Sequence, residues 1–104
     1  MRRNTAKRGE NEAHRAAIIR LLVPLYPGGM TFAGLQQALM IERRPLDSRE
    51  LDFHLAYLEE SNYLVLDKEP ARRGRRQKTL HAKAARKAVD LLDGRIPEDT
   101  GIAL

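Results

Sequence analysis

Four arginines lie within five positions of the chain, at Arg72, Arg73, Arg75 and Arg76, and Lys78 follows two residues later. We call residues 72–78 the basic cluster. A guanidinium group presents several N–H donors in a planar fork that matches the oxygens of a phosphate. Residues 68–87 hold nine basic residues and one acid, Glu69, so the neighbouring sequence does not neutralise the cluster. The pattern predicts contact with a polyanion, although an arginine run on its own is equally consistent with a solvated loop.

A helix is predicted just before the basic cluster, over residues 48–60. Either Asp47 or Ser48 can cap it, because both side chains accept from free backbone N–H groups. Three leucines recur at helical spacing and give this helix one apolar face: Leu51, Leu55 and Leu58.

A β-hairpin is predicted to follow this helix and to carry the basic cluster. Ser61-Asn62 ends the helix, since asparagine tolerates the left-handed conformation of a helix end. Residues 63–66, YLVL, are typical of a strand, and residues 78–81 can pair back as the second strand. The tip, EPARRGRRQ, therefore spans 69–77.

The rest of the chain predicts a mostly helical α+β domain over residues 10–94. Residues 1–9 are basic and without periodicity, which predicts a disordered arm, and residues 95–104 predict an extended tail. The predicted elements of the domain are a helix over 10–25, a short strand at Met30-Thr31, a helix over 32–41 capped by Thr31, a connection over 42–46 and a C-terminal helix over 82–94. The apolar face of that last helix either joins the core or meets a second copy of the chain in a homodimer.

Composition limits the class of protein. The chain has 104 residues, a formal net charge of +5 and no cysteine, so it has neither a disulfide framework nor a thiolate metal site. No apolar run approaches the roughly 20 residues of a membrane span, and the basic N-terminus lacks a hydrophobic signal core. We therefore expect one cytoplasmic domain. Its positive charge is concentrated near the N-terminus and in the basic cluster, which again favours a polyanionic partner.

The sequence contains no residue pattern typical of catalysis or cofactor binding. The three histidines have no metal-ligand spacing, and neither of the glycine-rich phosphate-binding motifs occurs. Glu59 and Glu60 are adjacent, so they point in different directions on a helix and do not form a catalytic pair. We predict a protein that is not an enzyme and that needs no metal or cofactor.

The order of these elements resembles the winged helix-turn-helix superfamily over about residues 11–82. The passage LAYLEESNYLVL is similar to the passage from recognition helix to wing in small bacterial regulators of the ArsR, MarR and PadR type. The short basic helix and the tail that follow resemble, more weakly, small winged-helix proteins of Mu-like phages. The resemblance implies a three-helix core, a two- or three-stranded wing and an additional C-terminal helix.

The resemblance also implies a function and a set of contacts. It implies a transcriptional regulator, bacterial or from a prophage, that binds double-stranded DNA with helix 48–60 in the major groove and the hairpin tip on phosphates or in the minor groove. The implied contacts are Arg43, Arg44, Arg49, Asp52, Phe53, Tyr57, Arg72, Arg73, Arg75, Arg76 and Lys78. Helix 48–60 carries four acidic residues and one basic residue, Arg49, which favours the alternative, a winged-helix module that binds protein instead of DNA.

Overall fold

The structure is a computed structural model that describes residues 2–70, 74 and 77–104, with side chains from residue 9 onward. The described residues form an α+β fold in which four α-helices accompany a three-stranded antiparallel sheet. In chain order the elements are α1 (Arg2–Leu22), a 3-10 turn (Val23–Leu25), β1 (Gly29–Thr31), α2 (Phe32–Ile41), α3 (Ser48–Glu60), β2 (Leu64–Lys68), β3 (Thr79–Ala84) and α4 (Arg86–Leu92). The predicted α+β class is confirmed at this level.

The sheet has the order β1-β3-β2, so β3 pairs with a strand on each side. Ala82 lies between Met30 of β1 and Leu66 of β2. The alternation of side chains is that of a strand with one covered face, because Ala82 and Ala84 are buried whereas Lys83 is exposed. The prediction that a helix begins at Ala82 is wrong, since pairing on both edges outweighs the helix propensity of these alanines.

Helix α3 begins as predicted, and Asp47 is its cap. The Asp47 carboxylate accepts from the backbone N–H of Glu50 at 2.8 Å, and the Glu50 carboxylate accepts from that of Asp47 at 3.1 Å. This reciprocal capping box satisfies two donors that a helix start leaves free. Its predicted leucine stripe is confirmed, because Leu51, Leu55 and Leu58 are fully buried.

The hydrophobic core lies between the helices and the inner face of the sheet. Helix α2 also has its predicted bounds, and the Thr31 hydroxyl caps it by accepting from the N–H of Gly34 at 3.0 Å. The fully buried large side chains come from the first three helices: Ile18, Ile19, Leu22, Leu35, Leu39, Leu51, Leu55 and Leu58.

Two predictions for the N-terminal region differ from the structure. Helix α1 begins at Arg2, so the backbone of residues 2–9 continues the helix and does not form a separate disordered arm. No proline interrupts residues 2–22, and most of the added residues are good helix formers. The helix ends at Leu22, and the predicted last turn is instead a 3-10 turn that contains Pro24.

The C-terminal region is packed more closely than predicted. Helix α4 places Ala88 and Leu91 in the core and leaves Leu92 36% exposed, so its apolar face is used within the chain. Gly94 follows it with a φ of +75°, which confirms the predicted glycine at the helix end. The tail is not simply extended, because Ile102 is buried and the N–H of Ala103 donates to the carbonyl of Glu12 at 3.1 Å.

The capping box makes a testable prediction about stability. Replacement of Asp47 by alanine removes the acceptor for the Glu50 N–H and should lower the free energy of unfolding by about 1 kcal/mol. Ser48→Ala is the matched control, because Ser48 is the first helical residue and does not cap; its effect should stay within about 0.5 kcal/mol. Urea denaturation of both variants measures the difference, and equal losses would contradict the assignment of the cap.

Candidate nucleic-acid interface

The side of α3 opposite its leucine stripe is exposed to solvent. Arg49, Asp52, Phe53 and Ala56 all lie on this side and are exposed. They also line an open groove beside α1, to which Asn11 contributes. We call these four residues the α3 surface. Three of the four predicted contacts in α3 are therefore on one solvent-facing surface, and the apolar Phe53 is among them.

Tyr57 is the exception among the predicted contacts of α3. Its side chain is half-buried, with the guanidinium of Arg15 lying 3.6 Å from the ring centroid. Its hydroxyl packs so closely on Gly101 that a methyl group at that glycine would overlap it. Tyr57 therefore does not share the open exposure of the other three residues, because α1 and the C-terminal tail partly cover it.

Several predicted cationic contacts lie outside α3. Arg43 and Arg44 are exposed where α2 meets the following loop, and Lys78 is exposed at the start of the returning strand. None of these three residues, and not Arg49 either, forms a salt bridge with another described residue. Lys68, by contrast, is paired with Glu59 at 3.0 Å. Their charges are therefore not neutralised within the described part of the chain.

Arg43 has an unusual backbone conformation. Its φ is +61°, in the left-handed region where glycine or asparagine is usual and other residues cost about 1–2 kcal/mol. The N–H of Arg43 donates to Met40 and that of Arg44 donates to Leu39, which closes the end of α2. The tight turn sends both arginine side chains out from the end of this helix, ahead of α3.

The predicted hairpin is formed up to its tip, with strands that are longer than the predicted residues 63–66 and 78–81. Strands β2 and β3 pair from Leu64 and Ala84 to Lys68 and Thr79, with an irregularity in register between Asp67 and Lys68. The N–H of Glu69 donates to the carbonyl of Lys78 at 2.9 Å and closes the base of the tip. Arg72, Arg73, Arg75 and Arg76 lie outside the described residues, so their contacts stay a prediction.

Behind the α3 surface lies a buried polar pair that sequence reasoning missed. Arg15 is 8% exposed, and its Nη1 donates to the carbonyl of Gly101 at 3.3 Å; His54 is 2% exposed. His54 stacks on His14 at 5.8 Å and meets the ring of Phe53 edge-on at 5.3 Å. His14 itself is half-buried. His54 falls on the stripe spacing of Leu51 and Leu58, which is the sequence signal for its burial.

The protonation state of His54 follows from its surroundings. Burial lowers its pKa from 6.5 to about 4, and the nearby charges of Arg15 and His14 act in the same direction. His54 is therefore neutral at pH 7 and adds no charge to the interface. Its role is to pack α3 against α1 and to support the ring of Phe53.

A second polar contact holds the tail against the base of the hairpin. The Tyr63 hydroxyl donates to the Asp99 carboxylate at 2.8 Å. Burial and this carboxylate raise the pKa of Tyr63 to about 12, whereas the N–H of Gly101 and the Tyr63 hydroxyl lower the pKa of Asp99. The Nζ atom of Lys87 lies 4.4 Å from the centroid of the Tyr63 ring and donates to the carbonyl of Ser61. The end of α3, the start of β2 and the tail are thus joined.

Neither a metal site nor a membrane span is found where the chain is described. Among those residues no three histidine, aspartate or glutamate side chains come together as metal ligands. None of the described helices combines the length and the apolar character that crossing a bilayer requires.

The buried histidine predicts a pH dependence of stability. Between pH 6.5 and 4 the unfolded chain binds a proton that folded His54 does not, so the stability should fall as the pH drops through this window, by roughly 2 kcal/mol from pH 7.5 to 5. Urea denaturation at several pH values measures this loss. His54→Leu should remove that part of the slope, whereas His81→Gln, at a half-buried position in β3, should keep it. Identical slopes for the wild type and His54→Leu would refute the assignment.

Comparison with known proteins identifies no relative: no protein-family model matches this chain, and neither a curated protein nor a solved structure matches it significantly. Its function is therefore inferred from its own residues and geometry.

Proposed function

We propose that this chain is a winged-helix DNA-binding protein, a cytoplasmic transcriptional regulator of bacterial or prophage origin. In this proposal α3 enters the major groove, and the basic wing, residues 69–78, lies on phosphates or in the minor groove. The observation that carries it is the position of the exposed α3 surface immediately before a paired hairpin whose tip has a basic sequence.

The order of elements supports the proposal. Helix, strand, helix, helix and two strands follow one another, and the sheet order β1-β3-β2 puts the short first strand beside the returning arm of the hairpin. This is the connectivity expected of a winged helix, in which the hairpin would be the wing. The additional helix α4 covers the core through Ala88 and Leu91.

The residue types of the α3 surface suit base recognition. Arg49 lies in the first turn, where a guanidinium can donate two hydrogen bonds to guanine O6 and N7, worth about 1–3 kcal/mol of discrimination. Asp52 can accept from the N4 amino group of cytosine. Because one side of α3 carries both a hydrogen-bond donor and an acceptor, this surface can discriminate between bases as well as attract phosphates.

The distribution of charge suits phosphate contact outside α3. Arg43 and Arg44 before α3 and Lys78 at the base of the tip are exposed cations with no acid partner among the described residues. The basic cluster adds four arginines in sequence. Cations on both sides of a recognition helix are the arrangement by which phosphate contacts fix its register on the duplex.

One observation favours a second candidate function, a winged-helix module that binds protein. Met40 is 62% exposed and Ile41 is 80% exposed at the end of α2. Adjacent exposed apolar side chains are typical of protein contacts. This candidate predicts no binding to duplex DNA at low salt.

Helix α4 supplies little for the homodimer predicted through residues 82–94, since its apolar side chains Ala88 and Leu91 face the core.

The contribution of the wing can be tested by the salt dependence of DNA binding. For random-sequence duplex DNA, log affinity should fall with log salt by about 0.9 for each phosphate contact. Replacement of the four arginines of the basic cluster by alanine should weaken binding to all sequences alike and flatten this slope, by up to about 3.6 if each makes one contact. Gel-shift titrations at two or more salt concentrations measure the slope.

A control variant removes two positive charges outside the proposed interface. Arg86 and Arg95 lie near Asp90 and Asp93, at 3.4 and 3.9 Å, outside the proposed interface. The double variant Arg86→Ala, Arg95→Ala should keep a slope close to that of the wild type. An unchanged slope in the fourfold wing variant would reject the wing as the phosphate contact.

The proposed base contact of Arg49 predicts a different kind of change. Arg49→Ala should relax the preference for one base position by about 1–3 kcal/mol while leaving recognition at the other positions intact. Selection of bound sequences from a random duplex pool, by wild type and variant in parallel, measures this preference. A uniform loss of affinity with an unchanged sequence preference would assign Arg49 to a phosphate instead.

A further inference from the structure

We propose that Phe53 is a specificity-determining residue that contacts the C5 methyl group of thymine in the major groove. This inference rests on the DNA-binding function proposed above and names the feature of the bases that the α3 surface would recognise. It starts from a large apolar side chain that points away from the core on the helix assigned to the groove.

The exposure of Phe53 is not explained by the packing of the domain. Its side chain is 57% exposed, although it sits one residue before the buried His54 and two before the buried Leu55. Of the α3 residues, it is the one large apolar side chain that the structure leaves in solvent. A ring in this position buries little surface in the free protein and gains contact only when another molecule covers it.

The ring is held in place from behind. Two buried groups lie next to it. The centroid of the His54 ring is 5.3 Å away in an edge-on arrangement, and the guanidinium of Arg15 is 5.9 Å from the centroid of the Phe53 ring. Both groups are at least nine-tenths buried and so cannot move far. An apolar contact that is already ordered loses little side-chain entropy when a ligand binds.

The neighbours of Phe53 define which ligand group fits. Arg49 precedes it by four residues and Ala56 follows it by three, so the three side chains share one side of α3, with Asp52 beside them. The polar members can form hydrogen bonds with base edges, whereas Phe53 and Ala56 have nothing to donate or accept. The apolar group that a base pair presents in the major groove is the thymine methyl, and phenylalanine and alanine are side chains suited to contact it.

None of the other exposed large apolar side chains among the described residues lies on α3. Met40 and Ile41 end α2, and Val65 lies on the outer face of the sheet. Tyr57, on α3 itself, is covered by Arg15 and Gly101. Phe53 is therefore the residue whose position on α3 and chemistry together match a base methyl.

Replacement of thymine by uracil tests this contact, because it removes the methyl group and leaves the hydrogen-bonding edges unchanged. The probes are two pools of random-sequence duplex DNA, one with thymine and one with uracil throughout, carrying different fluorophores. In a competition for wild-type protein at low salt, the thymine pool should bind about fourfold better per methyl contacted, the ratio expected for burial of one methyl group. A preference of this size for the thymine pool would support the proposed methyl contact.

Three variants assign the preference to Phe53. Phe53→Ser should bind both pools equally, whereas Phe53→Leu, which keeps an apolar side chain, should retain the preference. Val65→Ser is the matched control, because it removes an apolar side chain that is 48% exposed on the sheet, and it should behave as the wild type. Thermal unfolding checks that each variant is folded.

The outcomes separate the two proposals. If wild-type protein binds both pools equally well, or if Phe53→Ser keeps the thymine preference, the Phe53 inference is overturned and DNA binding stands. If neither pool binds at low salt, DNA binding itself is rejected and the inference falls with it. A stable dimer that Phe53→Ser dissociates would show that a second copy of the chain covers this ring, which also overturns the inference.

Discussion

The rotation of α3 about its own axis is the constraint on which the candidate interface depends. Leu51, Leu55 and Leu58 are fully buried, and a helix cannot bury these positions without turning the opposite side to solvent. That opposite side carries Arg49, Phe53 and the other residues of the α3 surface. Rotation by one residue, about 100°, would expose leucines that each stabilise the core by about 1.5–3 kcal/mol. The apolar stripe therefore decides which side chains can meet a partner.

Strand β3 links this helix to the hairpin. It pairs with β1 on one edge and β2 on the other, and its small buried residues, Ala82 and Ala84, lie on the inner face of the sheet. Because β2 begins four residues after α3 ends, pairing with β3 fixes the direction in which the hairpin leaves the domain. The Tyr63 contact with Asp99 then anchors the same junction from the tail. The end of α3 and the base of the hairpin are therefore joined both by strand pairing and by a contact with the tail.

Features determined by neighbouring residues were predictable from the sequence. Thr31 as a cap, the bounds of α2 and α3, the left-handed Asn62 and the pairing of two strands after it follow from local patterns, and the structure agrees with each.

Features that depend on distant residues were not predictable in this way. The intrinsic propensity of Ala82 and Ala84 favours a helix, but both residues form part of a strand because β3 pairs with β1 and β2. The positions of those two strands cannot be inferred from the residues around Ala82. The burial of Arg15 depends on Tyr57, 42 positions away, and on a tail carbonyl at Gly101. The resemblance also placed Tyr57 among the DNA contacts, because the position of a residue along a helix does not show which other parts of the chain cover it.

The acids of α3 are less of an obstacle to DNA binding than their number suggests. Glu50 is held in the capping box with Asp47, and Glu59 is paired with Lys68. Of the other two acids, Glu60 is exposed at the C-terminal end of the helix and Asp52 lies beside Arg49. The α3 surface therefore carries one acid and one base and has little net charge. A surface of this kind cannot supply the electrostatic part of affinity, which would have to come from cations on either side of it. What it offers is a set of different chemistries, a guanidinium, a carboxylate and an apolar ring, at fixed positions on one helix. Discrimination between base pairs needs such a set, because each pair presents its own order of donors, acceptors and methyl groups.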